Sequence, residues 1–161
     1  MLWEVLLERL IVDEEVESFF DKNDLDHIEK RLVFMCQSAA KAANLSEDYE
    51  CSLRLCNDEA IKELNSTYRH KDKSTDVLAF ALQESNMGHL TPTMLGDVVI
   101  SVETAERQKK SKSLLDEIVF LMAHGFCHLL GYDHQNDEQE TEMNQRMTEL
   151  LDESLQGLKQ K

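Results

Sequence analysis

"LLDEIVFLMAHGFCHLLGYDH", residues 114–134, sets apolar side chains at 114, 118, 121, 122, 126 and 129, the interval of a long helix with one face on a core. On such a helix His124 and His128 stand at i and i+4, project from the same face and lie near enough to hold one ion. Gly131 can close the helix in a left-handed conformation that costs other residues more, so the chain turns back and presents His134 as a third ligand. Three imidazoles leave one position open on a tetrahedral ion, as at catalytic rather than structural zinc. Zinc, one ion per chain, is the favoured metal, although nickel, copper or iron would accept the same ligands. Zinc proteases of this histidine spacing place a glutamate directly after the first histidine, as the base that deprotonates bound water. Here that position is Gly125.

The flanking chain alternates helix and strand. Upstream, "MLGDVVISVE" (94–103) contains an unbroken "VVI" that suits a strand covered on both faces, and "DVLAFAL" (76–82) is a second strand. "YECSLRLCN" (49–57) alternates Cys51, Leu53 and Leu55 with polar residues, the pattern of a strand with one buried face. Helices are expected from Asn23 or Asp24 as N-cap through Ala39, from Asn57 or Asp58 through Leu64, from Thr104 to Lys110, from Leu114 to Leu130, and over 137–156. Residues 3–7 read as a strand or a short helix. The sum is a single α+β domain over 1–161, with a small mixed sheet of about four strands, about five α-helices and a metal site at the end of the long helix.

Composition narrows the class. With 42% hydrophobic and 30% charged residues, one proline and five glycines, the chain is neither collagen-like nor broadly disordered. No apolar run approaches the ~20 residues that span a bilayer, and the acidic start differs from a basic-then-apolar signal peptide. A cytoplasmic location is expected, with an organelle matrix as the alternative. Cys36, Cys51, Cys56 and Cys127 form no C-x-x-C pair and read as reduced core residues. On the helix, Cys127 also points about 100° away from His128, against its being a ligand.

The formal charge of −15 argues against a generic nucleic-acid binder. Its distribution is uneven: "RHKDK" (69–73) and "RQKKSK" (107–112) hold Arg69, Lys71, Lys73, Arg107, Lys109, Lys110 and Lys112 against one acid, Asp72. Local positive potential can survive a negative total, and these cations could line a path for a phosphate backbone or stay merely solvated.

"HGFCHLLGYDH" resembles the signature of the YbeY family of endoribonucleases, which act in ribosomal RNA maturation. "LNSTYRHKDKSTDVLAFAL" (64–82) and "LGDVVIS" (95–101) are similar to that family's second and third motifs, in the same order. The resemblance implies an α+β, metal-dependent, single-strand-specific endoribonuclease in ribosomal RNA maturation and ribosome quality control. It places the zinc ligands on His124, His128 and His134 and the functional arginine on Arg69. Ribosomal RNA is the implied partner, with small-subunit ribosomal proteins and a ribosome-assembly GTPase beside it, and neither membrane nor DNA. The sequence departs from the family pattern at Ser74 and Ala81, where proline is common, and at Ala79, where serine is common.

The chemistry is consistent with that resemblance. A phosphodiester transition state gathers negative charge on nonbridging oxygens, which a Lewis-acid metal and the rigid fork of Arg69 can stabilise. The base stays open between metal-bound water, His70 and Asp133, the last of which could instead orient a ligand histidine or simply form the turn. Two other classes compete: a noncatalytic, zinc-containing ribosome assembly factor, and a metallopeptidase, which Gly125 disfavours.

Overall fold

Residues 10–44, 50–81, 94–133 and 135–159 are described by a computed structural model. Within them the chain runs β1 (Leu10–Val12), a 3₁₀ helix (Glu14–Phe19), α1 (Lys22–Ala42), β2 (Glu50–Cys56), α2 (Asp58–Arg69), β3 (Val77–Ala81), β4 (Met94–Ser101), α3 (Val102–Gln108), α4 (Leu114–Leu129) and α5 (Asp137–Lys159). Residues 3–7 and His134, both singled out from the sequence, lie outside the described residues. None of the helices among them is long and apolar enough to cross a membrane.

The strands form one mixed sheet in the order β1-β2-β4-β3. β1 and β4 both run parallel to β2, and β3 runs antiparallel to β4 with Ala79 opposite Val98. The central place of β4 explains its uninterrupted "VVI". Val98 and Ile100 join the main core, and Val99 joins a smaller cluster with Cys56, Ile61 and Leu78 on the opposite face. A strand covered on both sides can hide every side chain only if each is apolar.

The main core lies between the sheet and helices α1, α4 and α5. Ile28, Leu32 and Met35 of α1 meet Ile118, Met122 and Phe126 of α4 and Met143, Met147 and Leu150 of α5. α4 packs directly on β3 and β4. The other sheet face is partly covered by α2, through Ile61, Ala60 and Leu64. All four cysteines are buried, as core residues should be, and Cys36 Sγ lies 2.9 Å from Cys51 Sγ.

Helix starts follow capping chemistry more closely than apolar periodicity. α1 begins earlier than the Asn23 or Asp24 start expected. Its N-cap is Asp21, whose carboxylate accepts the Asp24 N–H at 2.8 Å while Asp24 accepts the Asp21 N–H at 3.0 Å, satisfying two otherwise orphaned donors. Asn57 caps α2 by accepting from Ala60 N–H. Ser101 and Ser113 do the same for α3 and α4, so α3 starts at Val102 rather than Thr104.

Candidate functional site

The histidine helix ends as a Schellman motif. Gly131 N–H donates to His128 O and Tyr132 N–H to Cys127 O, each at 3.0 Å, with Gly131 at φ +94°. The chain therefore reverses within one turn of His128. Arg146 on α5 pins that reversal by donating to the Tyr132 hydroxyl at 3.2 Å.

His124 and His128, both partly buried, face each other with Nε2 atoms 3.0 Å apart and ring centroids 4.7 Å apart. Neutral imidazoles approach this closely in two ways: one N–H points at the other lone pair, or both lone pairs point at a cation. Two nitrogens at about 2.0–2.1 Å from one tetrahedral zinc lie about 3.3 Å apart, so the pair fits the ion with a small ring movement. No third His, Cys, Asp or Glu joins them among the described residues. Cys127 points elsewhere, its buried Sγ 3.8 Å from Met143 O, which directs it away from the histidine pair. Asp133, half-buried, follows the reversal and shares a pocket of about 320 Å³ with Gly131 and Tyr132.

Gly125 faces the sheet. A Cβ built there would stand 2.6 Å and 3.0 Å from the two methyls of Val98 and 3.4 Å from Val77 Cγ2. Glycine thus lets α4 lie close on β3 and β4, and a glutamate at this place would be driven into the core rather than toward the histidines. The residue that seemed a missing base is a packing residue.

Arg69 ends α2 and reaches the outer edge of β3. Its Nη2 donates to Ala79 O at 2.8 Å, and its guanidinium carbon lies 4.8 Å from the centroid of the Phe80 ring. β3 therefore carries α4 on one face and holds Arg69 at its edge. His70, the C-cap, takes a left-handed φ of 59° and is exposed. The Phe80 platform and the Ala79 carbonyl were not picked out from sequence. Their signal was weak, because an arginine and an acceptor ten residues on announce nothing until β3 turns back beside α2.

The remaining cations differ among themselves. Arg107 pairs with Asp58 at 2.8 Å, Lys109 with Glu106 at 3.9 Å, and Lys112 with buried Glu117 at 2.7 Å while lying over Phe120. Lys71, Lys73 and Lys110 make no ion pair among the described residues. Asp58 gathers hydrogen bonds from Ser101, Thr104 and Arg107. Burial alone would raise its pKa, but those bonds outweigh burial and hold it below the ordinary carboxylate value.

The chain is similar to known proteins over most of its length. The endoribonuclease YbeY of Bacillus licheniformis is 42% identical over 135 residues, covering 79% of this chain and 83% of that protein. Its counterpart in Listeria innocua is 39% identical over 151 residues, covering 86% and 94%. A Thermotoga maritima protein whose solution structure is known shares the fold, with a TM-score of 0.57 over 94% of this chain and 91% of that one at 19% identity. The family model described as Endoribonuclease YbeY matches residues 14–155, a span that includes the paired histidines, the packed glycine and Arg69. The chain belongs to the endoribonuclease YbeY family.

Proposed function

We propose that the protein is a zinc-dependent, single-strand-specific endoribonuclease of ribosomal RNA maturation and ribosome quality control. The observation that carries this reading is the His124–His128 pair, with nitrogens 3.0 Å apart at the end of a helix that Gly125 seats on the sheet. His124, His128 and His134 would hold the ion. When bound, zinc supplies a Lewis acid for a phosphoryl oxygen and lowers the pKa of a coordinated water.

The rest falls to the chain's own side chains. Arg69 is held by the Ala79 carbonyl and the Phe80 ring, so its planar fork meets a phosphate with little reorganisation. Lys71, Lys73 and Lys110 are the cations best placed to attract an RNA backbone. Arg107, Lys109 and Lys112 would contribute after partial release from their acids. Partners on this reading are ribosomal RNA, small-subunit ribosomal proteins and a ribosome-assembly GTPase, in the cytoplasm.

Purified protein should cut an unstructured RNA, leave a duplex intact, lose activity in chelator and regain it with zinc. Intact RNA with zinc-loaded protein would favour a noncatalytic assembly factor. Cleavage of an unfolded protein, with RNA spared, would favour a peptidase.

A further inference from the structure

The sheet carries a second opening, on the face that α2 covers only in part. It is a groove of about 580 Å³, floored by Ser52, Asp97 and Val99 and walled by Leu64, Tyr68 and Phe80, with Arg69 at its rim. Its size is that of a small-molecule site. Tyr68 is 59% exposed, meets Phe80 edge-to-face with centroids 5.4 Å apart, and its hydroxyl has no partner among the described residues. Ser52 Oγ donates to Asp97 Oδ1 at 2.5 Å, which fixes the carboxylate, while Oδ2 accepts nothing among the described residues. Arg54, which also lines the groove, directs its Nε and Nη2 to Asp13 through hydrogen bonds of 3.1 and 2.8 Å.

An oriented carboxylate beside an exposed aromatic ring selects a flat ligand with N–H donors along one edge. Nucleobases have that form, and guanine presents two adjacent donors, N1–H and the 2-amino group, whereas uracil presents one between two carbonyls. Arg69 at the rim supplies the complementary charge for the attached phosphate.

We propose that this groove is a base-binding subsite for single-stranded RNA, in which one unpaired base, guanine by preference, stacks on Tyr68 and donates to Asp97. The proposal rests on the endoribonuclease reading for its ligand. It adds a specificity element on a different face of the sheet from α4.

The test is a titration of ¹⁵N-labelled protein with GMP and UMP, followed by NMR. GMP should shift the amides of Ser52, Tyr68 and Asp97 and bind roughly tenfold more tightly than UMP. Asp97→Asn should erase that preference, and Tyr68→Ala should weaken GMP roughly tenfold. In parallel, Tyr68→Ala should raise KM for a short guanine-containing RNA and leave kcat near wild type. Groove shifts that are absent, or equal for both nucleotides in wild type and Asp97→Asn, would overturn the proposal. So would groove shifts from isolated small-subunit ribosomal proteins with none from nucleotides, which would assign the groove to a protein. If GMP binds as expected but RNA is never cut, the endoribonuclease reading fails and the subsite stands. If RNA is cut with an unchanged KM in Tyr68→Ala and no nucleotide shifts appear, the subsite alone fails.

Discussion

Replacing Gly125 by alanine adds one methyl group in the tightest contact between the histidine helix and the sheet. That methyl would sit 2.6 Å from Val98 Cγ1 and 3.0 Å from Cγ2. Val98 is fully buried on the central strand, and a β-branched side chain has little rotamer freedom with which to yield. α4 must lift by several tenths of an ångström, and with both Val98 methyls inside van der Waals distance the overpacking cost falls in the upper part of the usual range, about 2–3 kcal/mol. Against this, alanine gains about 1 kcal/mol over glycine in a helix interior. The net expectation is a loss of about 1–2 kcal/mol, which lowers the urea midpoint by about 0.5–1 M at an m-value of about 2 kcal/mol per M. Unfolding should be followed in chelator, so that metal binding does not mask the packing term. Val98→Ala alone should cost about 2–3 kcal/mol. The double variant should lose about 1–2 kcal/mol less than the two singles together, because alanine at 98 makes room for the new methyl. A Gly125→Ala protein as stable as wild type, or strict additivity in the cycle, would refute the close-packing explanation. On the same reasoning Gly125→Glu should unfold the protein rather than create a peptidase.

Other expectations follow from the same geometry. His128→Ala should lower bound zinc and remove the stabilisation that zinc confers, about 2.7 kcal/mol at a hundred times Kd; elemental analysis showing wild-type metal content would exclude His128 as a ligand. Gly131→Ala should cost about 1–2 kcal/mol, because φ is +94° with no neighbouring atom within 4 Å, so the cost is purely conformational; Gly131→Asn should cost less, and equal stability of all three in urea would contradict this. Arg69→Ala should reduce RNA cleavage about a hundredfold with Arg69→Lys recovering only part of it, and full activity of the lysine variant would show that the fork is not used. Because the folded pKa of Asp58 lies below its ordinary value of 3.8, its contribution to stability is complete above that pH and disappears as pH falls through the folded value. Asp58→Asn should therefore flatten the acid limb of stability below about pH 4, and an unchanged limb would show that the Ser101, Thr104 and Arg107 bonds do not matter.

The readable parts of this protein are the ones set by near neighbours in the chain. His124 and His128 meet because four residues make about one helical turn, and Gly131 ends the helix because only its own backbone must adopt the left-handed state. The "VVI" of β4 implied a strand covered on both sides, and the sheet bears that out. Less was legible where several residues offered the same chemistry. Asp21, Asn23 and Asp24 can all cap a helix, and the reciprocal Asp21–Asp24 bonds select the first. β1 escaped notice because three residues, Leu10–Val12, show no periodicity and become a strand only by pairing with Leu53–Leu55.

The amino-acid order by itself determined the helix, its paired imidazoles, the turn that follows them and the family motifs, since each depends on interactions within a few residues. Tertiary structure alone decided why residue 125 is glycine, by bringing Val98 against it, and which cations keep free charge, by setting Asp58 against Arg107 across 49 residues of chain. It also set Arg69 on Ala79 and Phe80 and opened the groove beside Tyr68 and Asp97. Such pairings depend on the register and layering of the sheet, which no local stretch of sequence encodes.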